Sequence, residues 1–99
     1  MRLNCEQRSV IVAATAELAG PHARVLLFGS RVHDELRGGD IDLLVECPHP
    51  VERPVRLAMQ LTARLQLALG DRRIDVLVAD PSTSLDGVYA EARRQGVLL

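Results

Sequence analysis

Apolar residues recur at helical spacing in two stretches of the chain. The first follows Asn4 and Gln7, a pair typical of a capping box, and ends at Gly20-Pro21. The second follows Pro54 and ends at Gly70. Their predicted buried positions are Val10, Ile11, Ala14 and Leu18, and then Leu57, Ala58, Leu61, Leu65, Ala68 and Leu69. We also predict a short helix over 31–36 and a last helix over 85–95.

Between these helices lie three short runs rich in Val, Leu and Ile. They span residues 23–28, 40–46 and 72–79, and each is bounded by glycine, proline or charged residues. The resulting order is α-β-α-β-α-β-α, without repeats or a dividing linker. We therefore predict a small α/β (α+β) fold, formed as one domain over residues 1–99.

Composition narrows the classes of function. The formal net charge of −1 argues against a general nucleic-acid coat, although all twelve basic residues are arginine, which suits phosphate contacts. No apolar run is long enough to span a bilayer, and the two cysteines lie in no metal-like spacing. We expect a cytoplasmic protein that is not bound to membranes.

Acidic residues interrupt two of the predicted strands. Asp40 and Asp42 alternate with Ile41 and Leu43, so both carboxylates point to one sheet face, with Cα atoms roughly 6.5–7 Å apart. Asp75 stands alone among apolar residues in the third strand. Carboxylates within a strand are unfavourable unless they are paired or bind a cation. The alternatives are a solvated strand start for the first two and a solvent-facing edge position for Asp75.

A glycine-containing turn follows the first strand. Gly29 leaves space for an anion, Ser30 offers a hydroxyl, and Arg31 offers a guanidinium to a phosphate. Arg31 as a solvated helix residue remains an alternative. We predict that these three residues bind a nucleotide.

Gly29-Ser30 followed by Asp40-x-Asp42, with Asp75 in a later strand, resembles the nucleotidyltransferase superfamily of DNA polymerase beta, poly(A) polymerases and aminoglycoside nucleotidyltransferases. The chain is most similar to the minimal nucleotidyltransferase (MNT) proteins, many of which are the antitoxins of HEPN/MNT toxin–antitoxin pairs. The resemblance implies a mixed β-sheet of three or more strands with helices packed on one face. Many members carry a serine where this chain has Gly39, a departure that removes a possible nucleotide contact.

The resemblance also implies a mechanism. Asp40, Asp42 and Asp75 would be catalytic and hold two Mg²⁺ ions, with ATP as the nucleotide donor. The implied reaction transfers AMP to a hydroxyl, expected to be a tyrosine, on a HEPN-domain toxin, which silences it. One alternative is a non-catalytic module that neutralises the toxin by contact, and another is a transferase that acts on a small molecule or an RNA end. The assembly would be a homo-oligomer or a hetero-oligomer with the toxin.

Overall fold

Three helices and four strands make up the fold of the computed structural model, which describes residues 3–29, 40–70, 72–84 and 86–99. Their order and bounds are α1 Cys5–Ala19, β1 Arg24–Phe28, β2 Ile41–Glu46, α2 Pro54–Leu69, β3 Ile74–Ala79, α3 Gly87–Gln95 and β4 Val97–Leu98. The predicted helix over 31–36 lies outside the described residues, as does the start of the predicted last helix at residue 85. The α/β prediction is confirmed.

Both long helices begin and end where their sequence signals indicate. The Asn4 side chain accepts a hydrogen bond from the Gln7 backbone, and the Gln7 side chain bonds back to the Asn4 backbone, which completes the capping box of α1. Gly20 and Gly70 follow the last residues of α1 and α2. Of the positions predicted to be buried in α2, Ala68 is wrong, because it is exposed beside the buried Leu57, Leu61 and Leu65.

The sheet is mixed and has the order β3-β2-β1-β4. Strand β1 is antiparallel to β2 and to β4, whereas β2 and β3 are parallel. The parallel pair is possible because α2 forms the crossover between its two strands. Strand β4 was not predicted, because it is only two residues long and so short an element shows no period-2 pattern.

Alternate residues of the strands face two different environments. On one side, which we call the helix face, apolar strand residues pack against α1 and α2 in the main core. Its members include Val25, Leu27, Leu43, Val45 and Val78. The opposite side carries Phe28, Asp42, Leu44, Asp75 and Leu77, and we call it the carboxylate face. The prediction of apolar and acidic residues on opposite faces is thus confirmed for Asp42 and Asp75, whereas Asp40 precedes β2.

Helix α3 is the exception to the predicted one-sided covering. It lies on the carboxylate face, where Ala92 packs with Leu26, Leu44 and Ala79 in a second, smaller core. The Arg93 side chain forms an ion pair with Glu46 at 3.3 Å and fixes α3 at the far end of β2. Among the described segments, α3 therefore covers the carboxylate face near Glu46 and leaves the end that holds Asp42 and Asp75 uncovered.

None of the helices in the described part of the chain has the length and apolar character needed to cross a bilayer.

Candidate active site

The parallel pairing of β2 and β3 places two of the three predicted acids side by side. Asp42 and Asp75 are direct partners in the register of the two strands, so their side chains lie on the same face. Asp42 also pairs with Phe28, the last residue of β1. The two carboxylates consequently meet at the end of the sheet where β1 stops and the parallel strands begin.

Asp40 immediately precedes β2 and completes an acidic group. Burial raises the pKa of Asp42 above its ordinary value, and the negative charges of Asp75 and Asp40 raise it further. A hydrogen bond between the carboxyls of Asp42 and Asp75 acts in the same direction, while the Arg73 guanidinium opposes it. Asp75 and Asp40 therefore both act on Asp42 through space.

This crowding is the arrangement that a divalent cation relieves. Carboxylate oxygens are hard ligands of the kind that Mg²⁺ prefers, and a cation can replace the proton that two neighbouring carboxyls otherwise share. Among residues 3–29, 40–70, 72–84 and 86–99, however, no three His, Cys, Asp or Glu side chains converge as a ready-made metal site. The donor chemistry fits a cation, and Asp42 and Asp75 are adjacent donors because they are partners in the register of β2 and β3.

Gly29 follows the last residue of β1 and lies against the Asp42 side chain. Its φ of +78° lies in the left-handed region that glycine adopts without strain. A Cβ atom added there would lie 3.2 Å from Cγ of Asp42 and would overlap its Oδ2 atom. The absence of a side chain at Gly29 is therefore what allows the Asp42 carboxylate its position. Ser30 and Arg31, the other predicted nucleotide-binding residues, lie outside the described residues.

Arg73 is a site residue that the sequence reasoning missed. Its Nε atom donates to Oδ2 of Asp75 at 3.1 Å, and its charge lowers the pKa of Asp42. It lies two residues before Asp75, so alternation places both side chains on one face. This i, i+2 spacing was the available signal. Arg73 partly balances the acidic group and holds one oxygen of Asp75.

Asp80 has the role of a turn residue. Its Oδ1 atom accepts hydrogen bonds from the backbone and hydroxyl of Ser82, and its Oδ2 atom accepts one from the backbone of Val51 at 2.7 Å. These donors lower the pKa of Asp80 to about 2. Asp86 precedes the first residue of α3 and makes no side-chain capping bond.

Comparison with known proteins agrees with this geometry. The model of the nucleotidyltransferase domain family matches residues 9–94, a stretch that contains all three acids and Gly29. No curated protein matches the chain. Because the family match extends over both long helices, the paired strands β1 to β3 and most of α3, the chain belongs to the polymerase beta-like nucleotidyltransferase domain family, whose activity is nucleotidyl transfer.

Proposed function

We propose that this chain transfers AMP from ATP, with Mg²⁺, to a hydroxyl group of a protein partner. The observation that carries the proposal is the pairing of Asp42 with Asp75 in the register of β2 and β3, with Asp40 close enough to raise the pKa of Asp42. A purely structural sheet gains nothing from three crowded carboxylates. A nucleotidyl transfer site uses them to bind the metal–nucleotide complex.

Each residue of the site has a defined part in the reaction. Asp40, Asp42 and Asp75 would hold the metal ions, and Gly29, Ser30 and Arg31 would contact the phosphates. When bound, Mg²⁺ stabilises negative charge on the attacking and leaving oxygens. The acceptor oxygen forms a bond to the α-phosphorus, the bond between that phosphorus and the bridging oxygen to the β-phosphate breaks, and pyrophosphate leaves. Asp75 accepts the hydroxyl proton.

Arg73 positions the proton acceptor. Its bond to Oδ2 of Asp75 fixes the orientation of the carboxylate beside Asp42. Half of the Asp75 side chain is exposed, which gives an acceptor hydroxyl access from solvent. The acid therefore combines a fixed position with an open approach.

The proposed partner is a HEPN-domain toxin, with a tyrosine as the modified residue and this chain as the antitoxin. The resemblance to MNT antitoxins supports this part of the proposal. The exposed side of the carboxylate face supports it as well, because a folded protein can reach Asp75 there.

The experiment is intact mass spectrometry of the protein encoded beside this chain, after incubation with the chain, ATP and Mg²⁺. We expect one or more AMP units to be added, and peptide mapping to locate them on a tyrosine. Asp42→Asn should abolish the addition, because it removes ligand charge with little change in volume.

Asp86→Asn is the matched control. It removes one carboxylate outside the site, and asparagine is as suitable as aspartate at a helix N-cap. Transfer should remain unchanged in this variant. Undiminished transfer by Asp42→Asn would contradict the proposed mechanism, and AMP on an RNA end or a small molecule instead would contradict the proposed acceptor.

A contact-only antitoxin is the second candidate. Exposed apolar side chains on α2, among them Val55, Met59 and Leu67, favour it because they offer a binding surface that needs no catalysis. Gly39, the departure noted in the sequence, lies outside the described residues. Neutralisation of the toxin by Asp42→Asn, without AMP transfer by the unmodified chain, would establish this candidate.

A further inference from the structure

The two edges of the sheet differ in how they are protected. One edge is β4, which is two residues long, and shortness is a common protection against unwanted pairing. The other edge is β3, six residues long with the sequence Ile-Asp-Val-Leu-Val-Ala. It contains no lysine, proline or bulge, and none of the described segments pairs with its outer side.

The hydrogen bonds to β2 show which groups of β3 point outward. The backbone oxygen of Arg73 accepts from Ile41 of β2, and that of Ala79 accepts from Cys47 just after β2. By alternation, the backbone groups of residues 73, 75, 77 and 79 face β2. The backbone N–H and C=O groups of Ile74, Val76 and Val78 therefore point to the outer edge. These six groups form a template for another strand.

A groove of about 640 Å³ runs along this edge, and we call it the edge groove. Helix α2 forms one wall and Tyr89 of α3 contributes to the other. Of the described residues that line it, only Asp75 is charged. The α2 wall presents Val55, Met59 and Ala63 at intervals of four residues, which is one apolar stripe of the helix. The apolar stripe of α2 thus lies beside the unpaired outer edge of β3.

The distribution of charge along β3 and its flanks indicates which strand can pair with the outer edge of β3. Arg72 and Arg73 precede the strand and Asp80 follows it, so the segment is basic at its start and acidic at its end. An antiparallel copy of the same segment brings the basic start of each strand against the acidic end of the other. Asp80 is ionised at neutral pH, and its hydrogen bonds keep its pKa at about 2.

We infer that β3 pairs with β3 of a second copy of this chain, antiparallel and with Val76 on the two-fold axis. This register opposes Ile74 to Val78, Val76 to Val76, and Arg72 to Asp80. It uses all six outward backbone groups of each copy, and it is the register in which the three outward residues all find partners. The dimer has one continuous sheet of eight strands from the described segments, with the two α2 stripes facing each other.

The pairing also brings the two acidic groups close together. Asp75 lies opposite Leu77 of the second copy, so the carboxylate faces of both copies form one surface with two sites. A strand from the second copy narrows the approach to Asp75 from the edge side. The opening above Asp42 remains, because β1 and β2 take no part in the contact.

The test is the molar mass of the purified full chain, measured by light scattering during size-exclusion chromatography over a series of concentrations. We expect a molar mass twice that of one chain, which falls toward the mass of a single chain on dilution. Hydrogen exchange should show the amides of Val76 and Val78 slowed in the dimer and fast after dilution. A chain that stays monomeric at every concentration overturns the inference.

Val76→Pro tests the contact most directly. Proline lacks the N–H that residue 76 donates across the outer edge, whereas no hydrogen bond to β2 is lost. Two lost hydrogen bonds across the axis correspond to a dissociation constant raised about 30-fold. The circular dichroism spectrum of the monomer should remain that of the parent chain. If Val76→Pro fails to fold, Met59→Glu provides the same test from α2.

Met59→Glu introduces a negative charge into each facing stripe and should raise the dissociation constant about tenfold. Leu67→Glu is its control, because Leu67 is on the same helix, is 89% exposed against 67% for Met59, and does not line the edge groove. Dimerisation should be unaffected by Leu67→Glu. A dimer that Met59→Glu leaves as tight as the parent chain overturns the inference.

Discussion

The helix face and the carboxylate face differ in how their surroundings change the pKa of an aspartate. Asp80, on the helix side of the end of β3, accepts hydrogen bonds from Ser82, Thr83 and Val51, and its pKa is lowered to about 2. Asp42, on the other side, is half-buried beside two further acids, and its pKa is raised. The first arrangement stabilises a carboxylate, whereas the second holds it in an unfavourable position.

The same strands therefore serve two purposes. Their residues on the helix face form a core of Leu, Val and Ile, and stability depends on that core. On the carboxylate face, Asp42, Asp75 and the neighbouring Asp40 form a group whose charges repel one another, and the proposed transfer mechanism depends on that group. Truncating a buried residue of the main core and neutralising one of the crowded acids should consequently change stability in opposite directions.

The largest effect is expected in the main core. Leu61 is 1% exposed and packs between α2 and the sheet, so Leu61→Ala should lower the free energy of unfolding by about 2–5 kcal/mol. Denaturant titration followed by circular dichroism measures the change. Leu67→Ala on the same helix is the control and should change it by less than about 0.5 kcal/mol, because Leu67 is exposed. Equal losses would contradict the assigned helix face.

Gly29→Ala should lower stability by about 1–2 kcal/mol and also abolish transfer. The left-handed φ accounts for the loss of stability, and the overlap of the new methyl group with Asp42 accounts for the loss of activity. Gly20→Ala separates the two causes, since Gly20 also has a positive φ but no neighbouring atom within 4 Å of an added Cβ. Gly20→Ala should lose stability and keep transfer. Transfer retained by Gly29→Ala would show that its contact with Asp42 is irrelevant.

Asp80→Asn should make the protein less stable at neutral pH, and the difference from the parent chain should shrink in acid. The folded pKa lies below the ordinary value of 3.8, so the stabilisation is present above that value. It is lost as the pH falls from about 4 toward about 2. Acid unfolding followed by circular dichroism measures this, and a pH-independent difference would contradict the hydrogen-bonded role of Asp80.

The smallest effect, of opposite sign, is expected for Asp42→Asn without metal. Removing one of the crowded charges should raise the melting temperature by up to about 4 °C. Asp86→Asn, outside the acidic group, should leave it unchanged. A lower melting temperature for Asp42→Asn would mean that the charge of Asp42 stabilises the fold, contrary to the crowding described above.

The sequence predicted both long helices, strands β1 to β3 and the sheet face of Asp42 and Asp75 for a physical reason. Alternation in a strand depends only on neighbouring residues, so Ile41 and Asp42 had to face opposite sides. The capping box at Asn4 is equally local. The faces of Asp40, Asp42 and Asp75 follow from such local rules, and the family match supports the kind of site they were predicted to form.

Those local rules could not predict which strands and helices contact each other across the fold. That Asp42 stands directly opposite Asp75 depends on the register of two strands separated by α2. The position of α3 depends on contacts of Ala92 with Leu44 and of Arg93 with Glu46, which no periodicity reveals. Strand β4 forms only because Leu26 and Leu27 offer it an edge. These features required the three-dimensional structure.

The most direct test of the account is the melting temperature of the parent chain and Asp42→Asn, each with and without Mg²⁺ and a non-hydrolysable ATP analogue. We predict a reversal: Asp42→Asn melts higher without the ligands, and the parent chain melts higher with them, because only its carboxylates gain from binding. An equal shift in both proteins, or no shift in either, would contradict the claim that the crowded carboxylates are a metal–nucleotide site.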